Sequence, residues 1–241
     1  MNDAVVAVRT LVEARARTSA PAVVGIAGAV AAGKTVLAEA VRDDLDGRAD
    51  VVSTDGFLFP NSVLRERGLV ERKGFPDSYD VAALRGFLSA AREGRLPQRV
   101  PCYSHLTYDV DGDREVSAVD VLIVEGVNVL AAASDLLDVA VYVDVDEALL
   151  ESWYRARLLS LWAAGRDDPA SFYSSPIFAG LDEAAVGALA DGVWRSVNLV
   201  NLRKHIAPSR RDADLVITMG PDHVVTQVET RDHPAHPREE L

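Results

Sequence analysis

The stretch Gly28-Ala29-Val30-Ala31-Ala32-Gly33-Lys34-Thr35 reads G-x-x-x-x-G-K-[ST], the pattern of a phosphate-binding loop. Each fixed position has a chemical reason. Gly28 and Gly33 let the backbone turn tightly, so that the N–H groups of Ala29, Val30, Ala31 and Ala32 can point inward at phosphate oxygens. Lys34 supplies a flexible ammonium for the β- and γ-phosphates. Thr35 offers a hydroxyl to Mg²⁺ and opens a helix whose positive end faces the anion. The flanks have the required character. Residues 22–27 are an apolar run of buried-strand length, and Val36, Leu37, Ala40, Val41 and Leu45 have helical spacing.

Further along, apolar runs of strand length alternate with helical patterns. Strands are expected at 51–53, 119–125, 139–143 and 214–219, with one more at 223–230. Helices are expected from a cap at Asn2 or Asp3 to about Arg17, at 81–93 after an Asp80 cap, at 147–164 and at 181–204. This order implies an α/β chain with the P-loop NTPase fold, a mainly parallel sheet with helices on both faces. One domain over 21–230 is expected, behind an N-terminal helix in 1–20 and ahead of a disordered tail at 231–241. Two excursions, 57–80 and 96–117, are long enough to form an acceptor site, the second with a hairpin turn at Asp111-Gly112. The segment 151–178 is a candidate lid.

Composition narrows the partners. The chain has 241 residues, 49% of them hydrophobic, and a formal net charge of −12. Such an acidic balance argues against nonspecific nucleic-acid binding, while leaving room for a nucleotide site where a few cations converge. Cys102 is the single cysteine, which fits a reducing compartment. No membrane span or leader is expected, and the chain reads as cytoplasmic.

Ligands of such sheets bind beyond the carboxyl ends of the strands. Asp55, Glu125 and Asp144 sit at such ends. One acid near the phosphate loop would hold Mg²⁺, and a second could take the proton from an acceptor hydroxyl. Asp55 and Glu125 are the better candidates; Asp144, followed by Asp146 and Glu147, reads as a helix cap. Arg155 and Arg157 precede the lid loop and, being two apart on a helix, cannot both face the phosphates. Arg203, Lys204, Arg210 and Arg211 form a second basic cluster, either a nucleotide contact or a solvated face. Cys102 lacks the partners of a thiol nucleophile, and His233 and His236 lack further ligands for a metal. From the residues alone the chain is a phosphotransferase with a small-molecule acceptor.

Longer runs carry a resemblance. Ser53-Thr54-Asp55-Gly56-Phe57-Leu58-Phe59-Pro60-Asn61, Lys73-Gly74-Phe75-Pro76-Asp77-Ser78-Tyr79-Asp80, Tyr103-Ser104-His105-Leu106-Thr107-Tyr108-Asp109, Val124-Glu125-Gly126-Val127-Asn128 and Trp153-Tyr154-Arg155-Ala156-Arg157 resemble bacterial type I pantothenate kinases. That family lies in the phosphoribulokinase/uridine kinase group of P-loop kinases. The resemblance implies transfer of the γ-phosphate of ATP to the terminal hydroxyl of pantothenate, with Mg²⁺, in a cytoplasmic homodimer. It implies Lys34 and Thr35 on the phosphates and metal, Asp55 facing the acceptor hydroxyl and Glu125 supporting the metal. Arg157 would contact the transferring phosphate, and Tyr103, His105, Tyr154 and Asn198 would line the acceptor pocket.

Three features depart from the family pattern. The helical region before the first strand is shorter than usual. Leu158 and Leu161 stand where phenylalanines are common, which alters pocket shape and leaves a nucleoside, sugar or pantothenate-like acceptor as the alternative. Glu39 replaces a basic residue that helps bind coenzyme A phosphates, so weak feedback by coenzyme A is expected.

Overall fold

The computed structural model describes residues 1–16 and 20–231. Strand β1 (Ala22–Gly28) is buried along its whole length, which demands a partner on each edge and cover on each face. Its edge partners are β5 (Val121–Glu125) and β6 (Val139–Val145), both parallel to it. Beyond β5 lies β2 (Ala49–Ser53), again parallel. Beyond β6 come β7 (Leu215–Met219), parallel, and β8 (Val225–Thr230), antiparallel at the edge. The six strands run in the order β2-β5-β1-β6-β7-β8. A separate antiparallel hairpin joins β3 (Gln98–Ser104) to β4 (Asp109–Val116).

Parallel neighbours need crossovers, and the helices supply them. Helix α1 (Asn2–Ala14) packs on α2 (Lys34–Asp44) and reaches β6, β7 and β8. Helices α4 (Val81–Arg92) and α5 (Val129–Ala133) pack on each other and on β1. A shorter helix, α3 (Asn61–Glu66), interrupts the first excursion. The Asp80 carboxylate caps α4 by accepting from Ala83 N at 2.9 Å, as its sequence position predicts.

At the end of the sheet away from the phosphate loop, ion pairs and hydrogen bonds tie four elements together. The Arg15 guanidinium donates to both Asp214 oxygens at 2.7 and 3.0 Å and to Asp138 O at 2.7 Å. Asp214 also accepts from Ala140 N at 2.8 Å, and Asp138 from Val23 N at 2.8 Å and Arg92 at 3.0 Å. The end of α1, the starts of β6 and β7, and α4 are therefore fastened by one polar net.

Several local expectations change. Neither Asn2 nor Asp3 caps α1, whose N-cap is Met1 without a side-chain bond. Arg17, Ser19, His233 and His236, and all but the first residue of the 231–241 tail, lie outside the described residues. Asp111-Gly112 is not the hairpin turn: it lies inside β4, while the reversal falls between Ser104 and Asp109. The register slips between Pro101 and Tyr103, and Gly112, at φ 75°, absorbs the extra residue on β4. The same dipeptide suits a turn and a bulge, because both need φ above zero. The last long helix begins at Glu183 as α7 (Glu183–Val193) and continues to Ile206 through two π-helical turns, Trp194–Asn198 and Leu202–Ile206. Among the described residues no helix is long and apolar enough to cross a membrane.

Candidate active site

The phosphate loop leaves β1 at Gly28, where an added Cβ would lie 2.6 Å from Val143 O of the neighbouring strand. Glycine is therefore required by proximity alone. Gly33 has φ 89° and Ala31 φ 64°, so the loop curls through the left-handed region before α2 starts at Lys34. The buried Lys34 Nζ donates to Ala29 O at 2.8 Å, closing over the loop. Burial lowers the Lys34 pKa, opposed by Glu125 and Asp55, while Arg157 adds to the lowering. The loop lysine, two acids and an arginine thus share one electrostatic neighbourhood.

Strand register brings the acids there. Glu125 ends β5 and pairs with Ile26 on one side and Ser53 on the other. Burial raises its pKa, countered by Lys34; nearby Asp55 raises it further, while hydrogen bonds with the Ser53 and Thr35 hydroxyls lower it. Asp55 lies one turn past β2, in the 3-10 turn Thr54–Phe57. It accepts from the Tyr79 hydroxyl at 3.2 Å. Burial, with Asp55 alongside, raises the Tyr79 pKa well above its ordinary value, so the phenol stays a donor. The two acid-bearing turns are locked together: Thr54 Oγ1 donates to Asn128 Oδ1 at 2.7 Å, and a Cβ on Gly126 would fall 1.7 Å from Thr54 Oγ1. Asp144 takes a different part from the expected cap. It accepts from Arg210 at 2.9 Å, while Asp146 caps α6 (Glu147–Gly165) through Ala148 N at 2.8 Å.

The side where the acceptor is expected is built by the β3–β4 hairpin, the 57–80 excursion, α6 and the continuation of α7. Tyr103 sits edge-on to His105 and Tyr108, with ring centroids 5.2 and 6.1 Å apart. Burial holds the His105 pKa down, with Arg157 adding to it. A neutral His105 can therefore accept from the Arg157 guanidinium, 3.1 Å from its Nε2. The Tyr154 hydroxyl engages the Asn198 side chain. Of the two arginines on α6, Arg155 pairs with Asp191 on α7 and packs against Gly187, and Arg157 alone of the two lines the cleft.

A single cleft of about 660 Å³ joins the two sides. Val30, Lys34, Thr35, Asp55 and Glu125 line its phosphate half; Tyr103, His105, Tyr154, Arg157 and Asn198 line its acceptor half, with Leu158 and Leu161 beside them. The remaining loop residues, Gly28, Ala29, Ala31, Ala32 and Gly33, shape the backbone beneath. Cys102, a free thiol, also reaches the cleft. The second basic cluster does not line the cleft. Arg203 pairs with Glu147 at 2.6 Å and Arg210 with Asp144.

Lys73 is a residue that sequence reasoning passed over. Its ammonium donates to Asn61 Oδ1 at 2.7 Å and Tyr108 O at 2.6 Å, and lies 4.2 Å from the Tyr108 ring centre. Burial pushes its pKa down to about 8, against the pull of Asp109 and Asp55. A lone lysine in a charged loop carries no periodic or spacing signal, so only the fold reveals it.

The arrangement suits a nucleoside triphosphate with Mg²⁺. The curled loop and buried lysine fit phosphates, and the Thr35 hydroxyl and Glu125 offer oxygen ligands suited to a hard cation. Among the described residues no group of three or more His, Cys, Asp or Glu side chains could hold a metal by itself.

No protein-family model matches the chain. Curated relatives do. The chain is 41% identical over 230 residues to a pantothenate kinase of Rhizobium rhizogenes, covering 88% of this chain and 69% of that protein. It is 43% identical over 230 residues to a pantothenate kinase of Mesorhizobium japonicum, covering 88% and 72%. Among solved structures, the D-glycerate 3-kinase of Cryptococcus neoformans superposes with TM-score 0.66 at 13% identity, over 94% of this chain and 99% of that one. Phosphoribulokinase from Rhodobacter spheroides superposes with TM-score 0.51 at 12% identity, over 83% and 71%. The structural matches establish a shared kinase fold, and the sequence matches are closer: the chain belongs to the pantothenate kinase family.

Proposed function

We propose that the chain transfers the γ-phosphate of ATP to the terminal hydroxyl of pantothenate, the first step of coenzyme A biosynthesis. One observation carries the chemistry: the phosphate loop and the tyrosine- and histidine-lined pocket open into one cleft, with Asp55 and Arg157 between them. Lys34 and the loop N–H groups hold the triphosphate, and Thr35 and Glu125 hold Mg²⁺. Bound Mg²⁺ supplies neutralisation of the β- and γ-phosphate oxygens. Tyr103, His105, Tyr154 and Asn198 position the acceptor, and Lys73 offers the cation for its carboxylate. Asp55, aimed by Tyr79, takes the proton as the hydroxyl oxygen bonds to the γ-phosphorus and the bond to the bridging oxygen breaks, releasing ADP. Arg157 offsets charge on the moving phosphoryl group. A cytoplasmic homodimer belongs to the same reading and is checked by light scattering on the purified protein.

The test is Mg·ATP-dependent ADP release with pantothenate, pantoate, uridine or no acceptor. Strong, selective stimulation by pantothenate is expected. Equal stimulation by uridine, or none by pantothenate, would overturn the assignment of the acceptor.

Two further results are expected. Lys73 has a folded pKa of about 8, below the ordinary 10.5. Its positive charge is therefore present below pH 8 and lost as pH rises through that value. KM for pantothenate should rise on the alkaline side of pH 8, and Lys73→Met should raise KM at pH 7 and abolish that limb. An unchanged limb in the variant would assign it to another group. The sign for stability is the reverse: between about 8 and 10.5 the unfolded chain binds the extra proton, so this group's contribution to stability rises with pH. Glu39 lines the phosphate half of the cleft. An acid there repels an anionic inhibitor, so coenzyme A should inhibit ATP turnover only weakly. Tight competition between coenzyme A and ATP would contradict this.

A further inference from the structure

The two π-helical turns that interrupt the long helix bracket a pair of asparagines whose hydrogen bonding is incomplete. Within the first, Trp194–Asn198, the i→i+5 pattern brings Asn198 onto the same side as Val193 and Val197, and all three line the cleft with Asn201. Asn201 is 7% exposed. Its Nδ2 donates to Gly74 O at 2.8 Å, and this bond fixes which way the amide points, because a carbonyl can only accept. Asn201 Oδ1 is then left buried with no partner among the described residues. Asn198 has the complementary group: its Nδ2 is buried and makes no complete hydrogen bond, and beyond the N–H beside the Tyr154 hydroxyl it has a second to offer.

A buried donor and a buried acceptor, three residues apart on one helix face and both bordering the acceptor half of the cleft, match the two polar atoms of a secondary amide. Pantothenate, the acceptor assigned above, contains one such amide between its hydroxylated and carboxylated ends. We propose that Asn201 is a substrate-binding residue that reads this amide: Oδ1 accepts the amide N–H while Asn198 Nδ2 donates to the amide carbonyl. Asn201 also fastens the acceptor loop to the helix through Gly74, so the residue that reads the substrate holds the loop carrying Lys73. The inference rests on pantothenate being the acceptor.

The experiment compares pantothenate with its oxygen-ester analogue, in which the N–H is replaced by oxygen. In the wild-type enzyme the ester should lose roughly 30-fold in kcat/KM, because Asn201 Oδ1 then faces another acceptor. In Asn201→Ala both substrates should lose activity through the unfastened acceptor loop, but the amide should lose more, bringing the two within about threefold. A purely structural Asn201 would weaken both equally and leave the ratio intact, which would overturn the proposal. So would a wild-type enzyme that accepts both substrates alike. Asn201→Asp is the second variant: it keeps acceptor oxygens while removing the donor to Gly74, and it should retain a preference for the amide even as overall activity falls. Loss of that preference would also overturn the proposal. If wild-type enzyme does not turn over pantothenate at all, the assigned function and this inference fail together; turnover with an unaltered ratio defeats the inference alone.

Discussion

Asp55→Asn should lower kcat with pantothenate by about 10³ while leaving KM within a fewfold of wild type. The change is nearly isosteric. The Tyr79 hydroxyl, 3.2 Å from Asp55 Oδ1 in the wild type, can still donate to the amide oxygen. What disappears is the negative charge and the ability to take a proton. Both matter most in the transition state, so the loss should fall on kcat. Steady-state ADP release with circular dichroism as a folding control measures it. A loss under tenfold would remove Asp55 from its assigned role and leave Glu125 as the other acid in reach. Glu125 is the weaker candidate, because hydrogen bonds with Ser53 and Thr35 tie it to the phosphate side.

The largest stability effect should come from the opposite end of the sheet. Asp214→Ala removes the acceptor of a two-point bond from Arg15 and leaves Ala140 N without its 2.8 Å partner. Breaking a buried ion pair from one side costs about 3–5 kcal/mol, because the other charge stays behind. Arg15 retains side-chain exposure of 32%, so water recovers part of that loss and about 3 kcal/mol is the expected cost. For a domain of this size that is roughly 6–12 °C in Tm. A shift under 2 °C in a thermal melt would show that the net of ion pairs adds little. kcat should barely change at temperatures where the variant is folded, since the net lies at the far ends of the strands.

How much of this was legible in the sequence depends on the kind of signal. The strands of the central sheet were readable because fully buried parallel strands are continuous apolar runs, as in β1 and β5. That Asp55 and Glu125 line the cleft was readable as a consequence: in such sheets, acids at the carboxyl ends of strands fall beside the crevice. The choice between Arg155 and Arg157 was not, because spacing says only that the two diverge. Which one turns to the cleft depends on Asp191, 36 positions away. Asp144 was misread because its partner, Arg210, lies 66 residues on. Asn201 gave no signal at all, since a π-turn breaks the helical period on which sequence reading relies.

The segment 151–178 bears on how such enzymes diversify. Trp162, Tyr173, Phe178 and Val186 form a hydrophobic cluster distinct from the main core, with Leu158 and Leu161 packed against it. The residues that shape the acceptor pocket therefore lean on a small core of their own, while the phosphate loop and both acids are anchored in the sheet. Substitutions in that satellite core can be compensated locally, without disturbing the strands that position the phosphate chemistry. Selection for a new acceptor can thus act on one packing unit while catalytic machinery is inherited unchanged, and Leu158 and Leu161 stand where such drift would first be recorded.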